Sequence, residues 1–489
     1  MAPAILDAVA DGLEPSEFPK SKVASAVIHR SLKSVPLQVA HAEGTKVTFS
    51  NGQQINDTTC GAAVACLGYQ NDRVKKAMIS QIEKFSYCNS MFYGTEIGEE
   101  LAEVLVKGTK GEMAKVLVMC SGMTLFIYGT RIIGVNKQLG SEAMDAAMKI
   151  ARQYFMETVP KQPQRTKFIA RHGSYHGTTW GALSVGGHIA RRELFEPMLL
   201  EGCGKVSACN EYRGRLEGQS QEEYVKQLAK ELDDKFQEMG PENVIAFVAE
   251  PVVGAALGAV PAVPGYFKAM REVCDKYGAL LILDEVMSGM GRCGSLHAWE
   301  QEGVVPDIQT IAKGLGGGFA PIAAILINHR IADALSHGSG AFSHGHTYQG
   351  HPVSCAAAVE VQKIIAEDKL VDNVKEVGAY LGELLHEYLD VHPHVGNVRG
   401  KGLFWGIEFV KDKTTKTPFP KSLAVANTIF NVGMSSEHGI SLYPGQGTVD
   451  GVIGDHVLIA PAYGSTREEI KVIAELTRDV VFKALSEFS

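Results

Sequence analysis

Lys313 stands between a short apolar run and a string of glycines in IQTIAKGLGGGFAP, residues 308–321. A lysine amine has a pKa of about 10.4 in water and is a poor nucleophile near neutrality. Removed from water, or tied to a carbonyl carbon as an imine, it becomes a carbonyl-binding group and a proton carrier. Acids and aromatics stand at comparable places elsewhere in the chain. Glu250 follows VIAFVA, Asp284 and Glu285 follow LLIL, and Tyr175 and His176 follow KFIARHGS. Ser121-Gly122 follows KVLVMC, and Gly140-Ser141 comes further on.

What must position these residues is a sheet. KVLVMCS, KFIARHGSYHG, VIAFVAEP, LLILDEV, IQTIAKG and PIAAILIN are short β-rich runs, separated by loops and helix-period segments. In GYFKAMREVCDKYG, for example, Phe267, Met270, Cys274 and Tyr277 recur at helical spacing. Strands alternating with helices imply an α/β fold with a mostly parallel sheet covered on both faces. Ligands of such sheets lie beyond the carboxyl ends of the strands. The lysine, the acids, the aromatic pair and the small-residue turn all fall there.

The set has a chemical logic. A pyridoxal phosphate ring needs a lysine for its aldehyde carbon and an acid that keeps its pyridine nitrogen protonated, so that the ring acts as an electron sink. Asp284, ending a buried strand, suits that partner. The phosphate favours backbone N–H groups at a helix N-terminus. GSEAMDAAMKIARQYF offers one, with Ala143, Ala147, Ile150, Ala151 and Tyr154 on one helix face.

LILDEVMSGMGRCG followed, after a spacer, by KGLGGGFAPIAA resembles the signature of class III pyridoxal-phosphate-dependent aminotransferases, the ornithine, 4-aminobutyrate and omega type. GSEA, SYHGTTWGALSV, AEPVVGAALGA, HGHTYQGHPVSCAAA, VRGKGLFWGIEF and GDHVLIAPAY extend the resemblance over nearly the whole chain. It implies a fold-type I enzyme, a homodimer, moving an amino group between an amine or amino acid and a 2-oxo acid. Lys313 would carry the cofactor as a Schiff base and shuttle the substrate proton. Asp284 would pair with the pyridine nitrogen, Val286 would pack on one ring face, and Tyr175 with His176 on the other. Ser121, Gly122, Gly140 and Ser141 would hold the phosphate, joined by Thr347 of the neighbouring subunit, so that active sites are shared. Arg399 resembles an arginine that clamps a substrate carboxylate; a structural ion pair is the alternative. Glu250 resembles an acid that pairs with a switching arginine, or is an ordinary strand-end carboxylate. The family also holds decarboxylating, racemising and aminomutase members.

Two departures stand out. Met287 replaces a glutamine that many relatives place beside the cofactor's phenolic oxygen. The larger one lies in the phosphate turn, where Met123–Gly140, apolar and without an acid, separates CSG from SEA. Codons for Gly122-Met123 and Leu139-Gly140 can spell GT and AG splice boundaries, and excision in frame restores CSGSEAMDAA. We expect a retained intron in the coding sequence. If translated, the segment would disrupt the phosphate cup and leave a catalytically impaired paralogue.

Other readings fit less well. GLGGGF lacks the G-x-G-x-x-G register, and no GK[ST] is present, which argues against nucleotide binding. His344, His346 and His351 have no cysteine or carboxylate among them, so no metal is expected. Net charge is −8 without a basic cluster, against nucleic acid as partner. Nine scattered cysteines without a C-x-x-C pair fit a reducing compartment. With no signal-like N-terminus and no run long enough for a membrane span, a cytoplasmic protein is expected. The expected organisation is an N-terminal segment 1–60 packing on a small α+β C-terminal unit 351–489, around a large cofactor-binding unit 61–350. The stripe Val374, Val377, Leu381, Leu384 and Leu385 predicts an amphipathic helix, and GLFWGIEFV a half-buried strand.

Overall fold

The computed structural model describes residues 34–120 and 139–488, the strand pair Phe126–Tyr128 and Arg131–Ile133, and a few residues between 25 and 31. Its centre is a seven-stranded sheet: β1 (Met113–Met119), β2 (Lys167–Arg171), β3 (Cys203–Val206), β4 (Val244–Ala249), β5 (Leu280–Asp284), β6 (Ile308–Ile311) and β7 (Ala323–Asn328). The order is β1-β7-β6-β5-β4-β2-β3. The pairs β6-β5, β5-β4, β4-β2 and β2-β3 are parallel, and β7 runs antiparallel to both neighbours. Six strands match the apolar runs. The seventh, β3, has only Val206 buried, so its residues carry little strand signal.

The runs are continuously apolar because both faces are covered. Period-2 alternation sends Ala246, Val248, Leu280, Ile282 and Ile308 toward the helix α1 (Leu139–Glu157). Phe247, Ala249, Leu281 and Leu283 meet the helices α2 (Gln221–Met239) and α3 (Tyr266–Lys276) on the other face. Asp284 continues the alternation of Leu280 and Ile282, which brings its carboxylate to the α1 side.

After His351 come α4 (Pro352–Glu367) and α5 (Leu370–Leu389), which buries Val374, Val377, Leu381, Leu384 and Leu385 as its stripe predicts. They pack with a four-stranded sheet ordered Val395–Lys401, Phe404–Phe409, Asp455–Ile459, Tyr443–Gln446. Phe404–Phe409 is buried at every position but Trp405, rather than alternating with solvent, because Phe404 packs with Ala259 and Leu458 while Ile407 and Phe409 face the helices. Helix α4 belongs to two cores: Ala357 and Val361 join the C-terminal one, while Cys355, Ala358 and Val359 pack with Ile311, Leu315 and Ala324. Near the N-terminus Lys46–Phe49 pairs antiparallel with Gln54–Asp57, and Gly52 takes φ +86° in the turn. Gln54–Asp57 lies parallel to Ile440–Ser441, tying this end to the C-terminal part. No helix among the described residues is long and apolar enough to cross a membrane.

Candidate active site

Lys313 follows β6 directly and opens the short turn Lys313–Leu315. Its φ is +47°, a left-handed conformation uncommon in a residue with a side chain. The turn is held by N–H groups of Gly316 and Gly317 donating to the Lys313 carbonyl at 3.2 and 3.0 Å. The glycines answer a steric need. A Cβ on Gly316 would lie 2.6 Å from Ile322 Cγ2, and Gly317 needs φ +58°. Beneath them Gln362 donates to the carbonyls of Gly314 and Leu315 at 3.1 and 2.9 Å.

The Lys313 amine is held down to about 8 from its ordinary 10.5, mainly by loss of water, with Arg292 pushing the same way and Asp284 and Glu250 opposing. Among the described residues no hydrogen bond or ion pair reaches Nζ. The site therefore contains a partly neutral, uncommitted amine within the field of two carboxylates. Arg292 is itself fully buried, lying 4.6 Å from the Tyr463 ring centroid and donating to the Leu403 and Pro461 carbonyls.

Asp284 lies on the neighbouring strand, in register with Thr310, three residues before the lysine. Its carboxylate is buried and ordered from three sides. Thr310 Oγ1 and the Val286 N–H donate to Oδ1 at 3.0 and 3.1 Å, and His176 Nδ1 sits 2.8 Å from Oδ2. The structure thus sets His176 against the acid, and its buried Nε2 is without a partner among the described residues. Glu250 is also buried, and both its oxygens accept backbone N–H groups: Oε1 from Tyr175 at 3.1 Å, Oε2 from Gly254 at 3.0 Å. Burial pushes its acid upward. No arginine side chain pairs with this carboxylate among the described residues, so what it visibly does is orient Tyr175. The Tyr175 ring packs on Val253, Ala256, Leu257 and Val260.

Ser141, in the first turn of α1, accepts the Thr178 N–H on Oγ at 3.0 Å, and Thr179 Oγ1 donates to its carbonyl at 3.2 Å. Close approaches fix the turn. A Cβ on Gly140 would lie 2.8 Å from Val286 Cγ1, and one on Gly177 would lie 2.3 Å from Ser141 Oγ. Through Val286 the turn touches a residue that holds Asp284, and through Gly177 the chain that follows His176. Ser121 and Gly122, and of the segment after them residues 123–125, 129–130 and 134–138, lie outside the described residues. Met287 stands against Gly254, where a Cβ would meet its sulfur at 2.4 Å.

Lys313, Asp284, His176, Tyr175, Glu250, Val286, Gly140 and Ser141 are therefore gathered together. Thr347 is not: it is exposed in the loop before α4, without a bond to the others. Arg399 is buried and its guanidinium is occupied. Nε donates to the Gly258 carbonyl at 2.9 Å, Nη1 to Asn397 Oδ1 and Glu408 Oε2 at 2.9 and 2.6 Å, and Nη2 to the Leu257 carbonyl. Glu408 also binds Arg213 and accepts from Thr448. The geometry is that of the structural ion pair, tethering the 257–258 turn on which Tyr175 rests. Sequence reasoning missed Thr310 as a ligand of Asp284, which the alternation Ile308, Thr310 along β6 could have indicated.

The residues fit a pyridoxal phosphate molecule. A free amine, an ordered buried carboxylate on the adjacent strand, an orphaned His176 nitrogen and a tight turn at a helix N-terminus are the features that group needs.

The Aminotransferase class-III family pattern matches residues 27–475. An aminotransferase of Gibberella zeae is 61% identical over 477 residues, covering 97% of this chain and 90% of that protein. An uncharacterized aminotransferase of Schizosaccharomyces pombe is 46% identical, covering 93% of this chain and 95% of that protein. Among solved structures, an amine transaminase from an uncultivated Pseudomonas species in its PLP-bound form superposes with TM-score 0.83 at 30% identity, covering 96% of this chain and 99% of that one.

Proposed function

This chain belongs to the class-III aminotransferase family, a transaminase with the fold of the pyridoxal-phosphate-dependent transaminases, and from that premise we propose which of its residues do the work. The observation that carries the reading is the pairing of Asp284 and Lys313 at the ends of adjacent parallel strands. Lys313 is the catalytic residue. Asp284 would meet the pyridine nitrogen of bound pyridoxal phosphate, Tyr175 and Val286 would flank its ring, and Ser141, Gly140 and the turn at Ser121-Gly122 would hold its phosphate.

When bound, that cofactor supplies a carbonyl carbon and a ring that draws off negative charge from the substrate α-carbon. The chain's own part is positioning and proton transfer. With its amine held down to about 8, Lys313 Nζ exists in both protonation states near neutrality and can take up and return the α-proton. Thr310, the Val286 amide and His176 keep the Asp284 carboxylate in one orientation, which a group receiving an N–H at a fixed place requires. Glu250 fixes Tyr175 through its backbone.

We propose a homodimer with shared sites, located in the cytoplasm, acting on an amino donor and a 2-oxo acid. Its support is an exposed aromatic surface, Phe85, Tyr87, Met91, Phe92, Tyr93 and Tyr348, beside exposed Thr347. Such a patch on one chain marks an interaction face. Of its residues, Tyr93 lines a groove of about 560 Å³, together with Cys88 and Gln349, that shares no lining residue with the Lys313 site. The proposed organisation remains 1–60, 61–350 and 351–489, with α4 serving both larger units. A second reading, an impaired paralogue, is favoured by Met123–Gly140, which separate β1 from the body of α1.

The test is amino transfer itself. Purified protein supplied with pyridoxal phosphate, a panel of amines and amino acids, and a 2-oxo acid should form the new amino acid, and Lys313→Ala should form none. If the wild-type chain is silent while the same chain lacking residues 123–140 is active, the paralogue reading holds for the chain as written.

A further inference from the structure

Every arginine near the site except one is buried or hydrogen-bonded through its side chain, although Nε of Arg171 and Nε and Nη2 of Arg292 are without a partner among the described residues. Arg399 binds Glu408, Asn397 and two carbonyls. Arg171 is buried with Nη2 on the Glu250 carbonyl, and Arg292 is buried on Tyr463. Arg192 places Nη1 on the carbonyls of Leu183, Ser184 and Gly186 and closes on Glu196. Arg191 is exposed, and its guanidinium carbon lies 6.0 Å from the centroid of Tyr175. No ion pair or side-chain hydrogen bond holds it among the described residues. We infer that Arg191 is the specificity-determining guanidinium, taking the carboxylate of amino acid and 2-oxo acid substrates beside Tyr175.

Three features make the place suitable. Tyr175 is tied to Glu250 through its amide, so Arg191 stands over an aromatic that belongs to the Lys313 site. The segment bearing Arg191 is seated by its neighbour Ile189, which lies 3.1 Å from where a Cβ on Gly451 would be. His188 approaches the Tyr175 ring edge-on at 6.2 Å, and its buried Nδ1 is without a partner among the described residues. Burial and Arg191 hold this imidazole down to about 4, so it stays neutral and adds no second cation. A planar guanidinium with free donors recognises a carboxylate bidentately, which an ammonium cannot do. The inference rests on the proposed site around Lys313 and names its substrate class as carboxylate-bearing.

The experiment compares 2-oxobutyrate with propionaldehyde, which lacks only the carboxylate carbon, as amino acceptors for wild type, Arg191→Gln and Arg191→Lys. Malonate binding is measured alongside by calorimetry. Loss of the guanidinium should lower the ratio of kcat/KM for the oxo acid to that for the aldehyde by about 10- to 100-fold. Malonate should bind at least about fivefold more weakly to Arg191→Gln, with Arg191→Lys between the two. An unchanged ratio, or equal losses on both acceptors, would overturn the assignment. A wild type inactive on both acceptors whose malonate affinity still depends on Arg191 would sink the catalytic reading and leave the anion site standing.

Discussion

Replacing Asp284 with Asn should make Lys313 more reactive toward electrophiles at low pH, before any cofactor is added. In the wild type the amine is held at about 8, against an ordinary 10.5, by loss of water and by Arg292, while Asp284 is the foremost opposing charge and Glu250 the next. Removing one nearby carboxylate lowers a lysine by about one unit. At pH 6 the neutral fraction then rises from about 1% to about 9%, so the rate should rise about tenfold. The assay is trinitrophenylation of the apo protein from pH 6 to 11, reading the Lys313 peptide by mass spectrometry against exposed lysines. Expected midpoints are about 8 for the wild type and about 7 for Asp284→Asn. Burial depresses Lys313 in the folded state, so stability is diminished below about 8 and recovers as pH rises toward 10.5. Lys313→Met should therefore stabilise the apo protein by about 3 kcal/mol below pH 8, a gain that disappears as pH rises toward 10.5. A wild-type midpoint near that of exposed lysines, or a midpoint that Asp284→Asn raises, would refute the electrostatic argument.

Arg399→Ala should act on stability, lowering it by about 3 kcal/mol in urea unfolding, because it leaves Glu408 buried with Arg213 alone. The Glu408 acid is held below its usual range by Arg399 and Arg213 despite burial, so this contribution should be full at neutral pH and fade on acidification. Gly177→Ala would place a Cβ 2.3 Å from Ser141 Oγ at φ +132°, and should weaken pyridoxal phosphate binding by at least about tenfold in a spectroscopic titration. Phe92→Asp, at a residue 70% exposed, should shift the protein from dimer to monomer in sedimentation without unfolding it.

The sheet was legible because its strands are buried on both faces and read as unbroken apolar runs. The edge strand Cys203–Val206 was not, since three of its four residues keep partial exposure. Lys313 and Asp284 were readable because strand ends are where an α/β sheet offers side chains to ligands. Arg399 shows the limit: nothing in VRGKG tells whether a guanidinium faces a cleft or, as here, a buried Glu408 and two carbonyls from a remote turn. Glu250 is similar, since its partners are backbone amides that any residue supplies. Arg191 lies in a segment of exposed residues without periodicity, and only its position over Tyr175 sets it apart.

The central claim is that Lys313 is the cofactor lysine. Borohydride reduction of the protein equilibrated with pyridoxal phosphate, followed by digestion and mass mapping, tests it directly. A visible band lost on reduction and a pyridoxyl group on Lys313 alone are the expected result. A pyridoxyl group spread over exposed lysines, or absent even from the chain lacking residues 123–140, would contradict it.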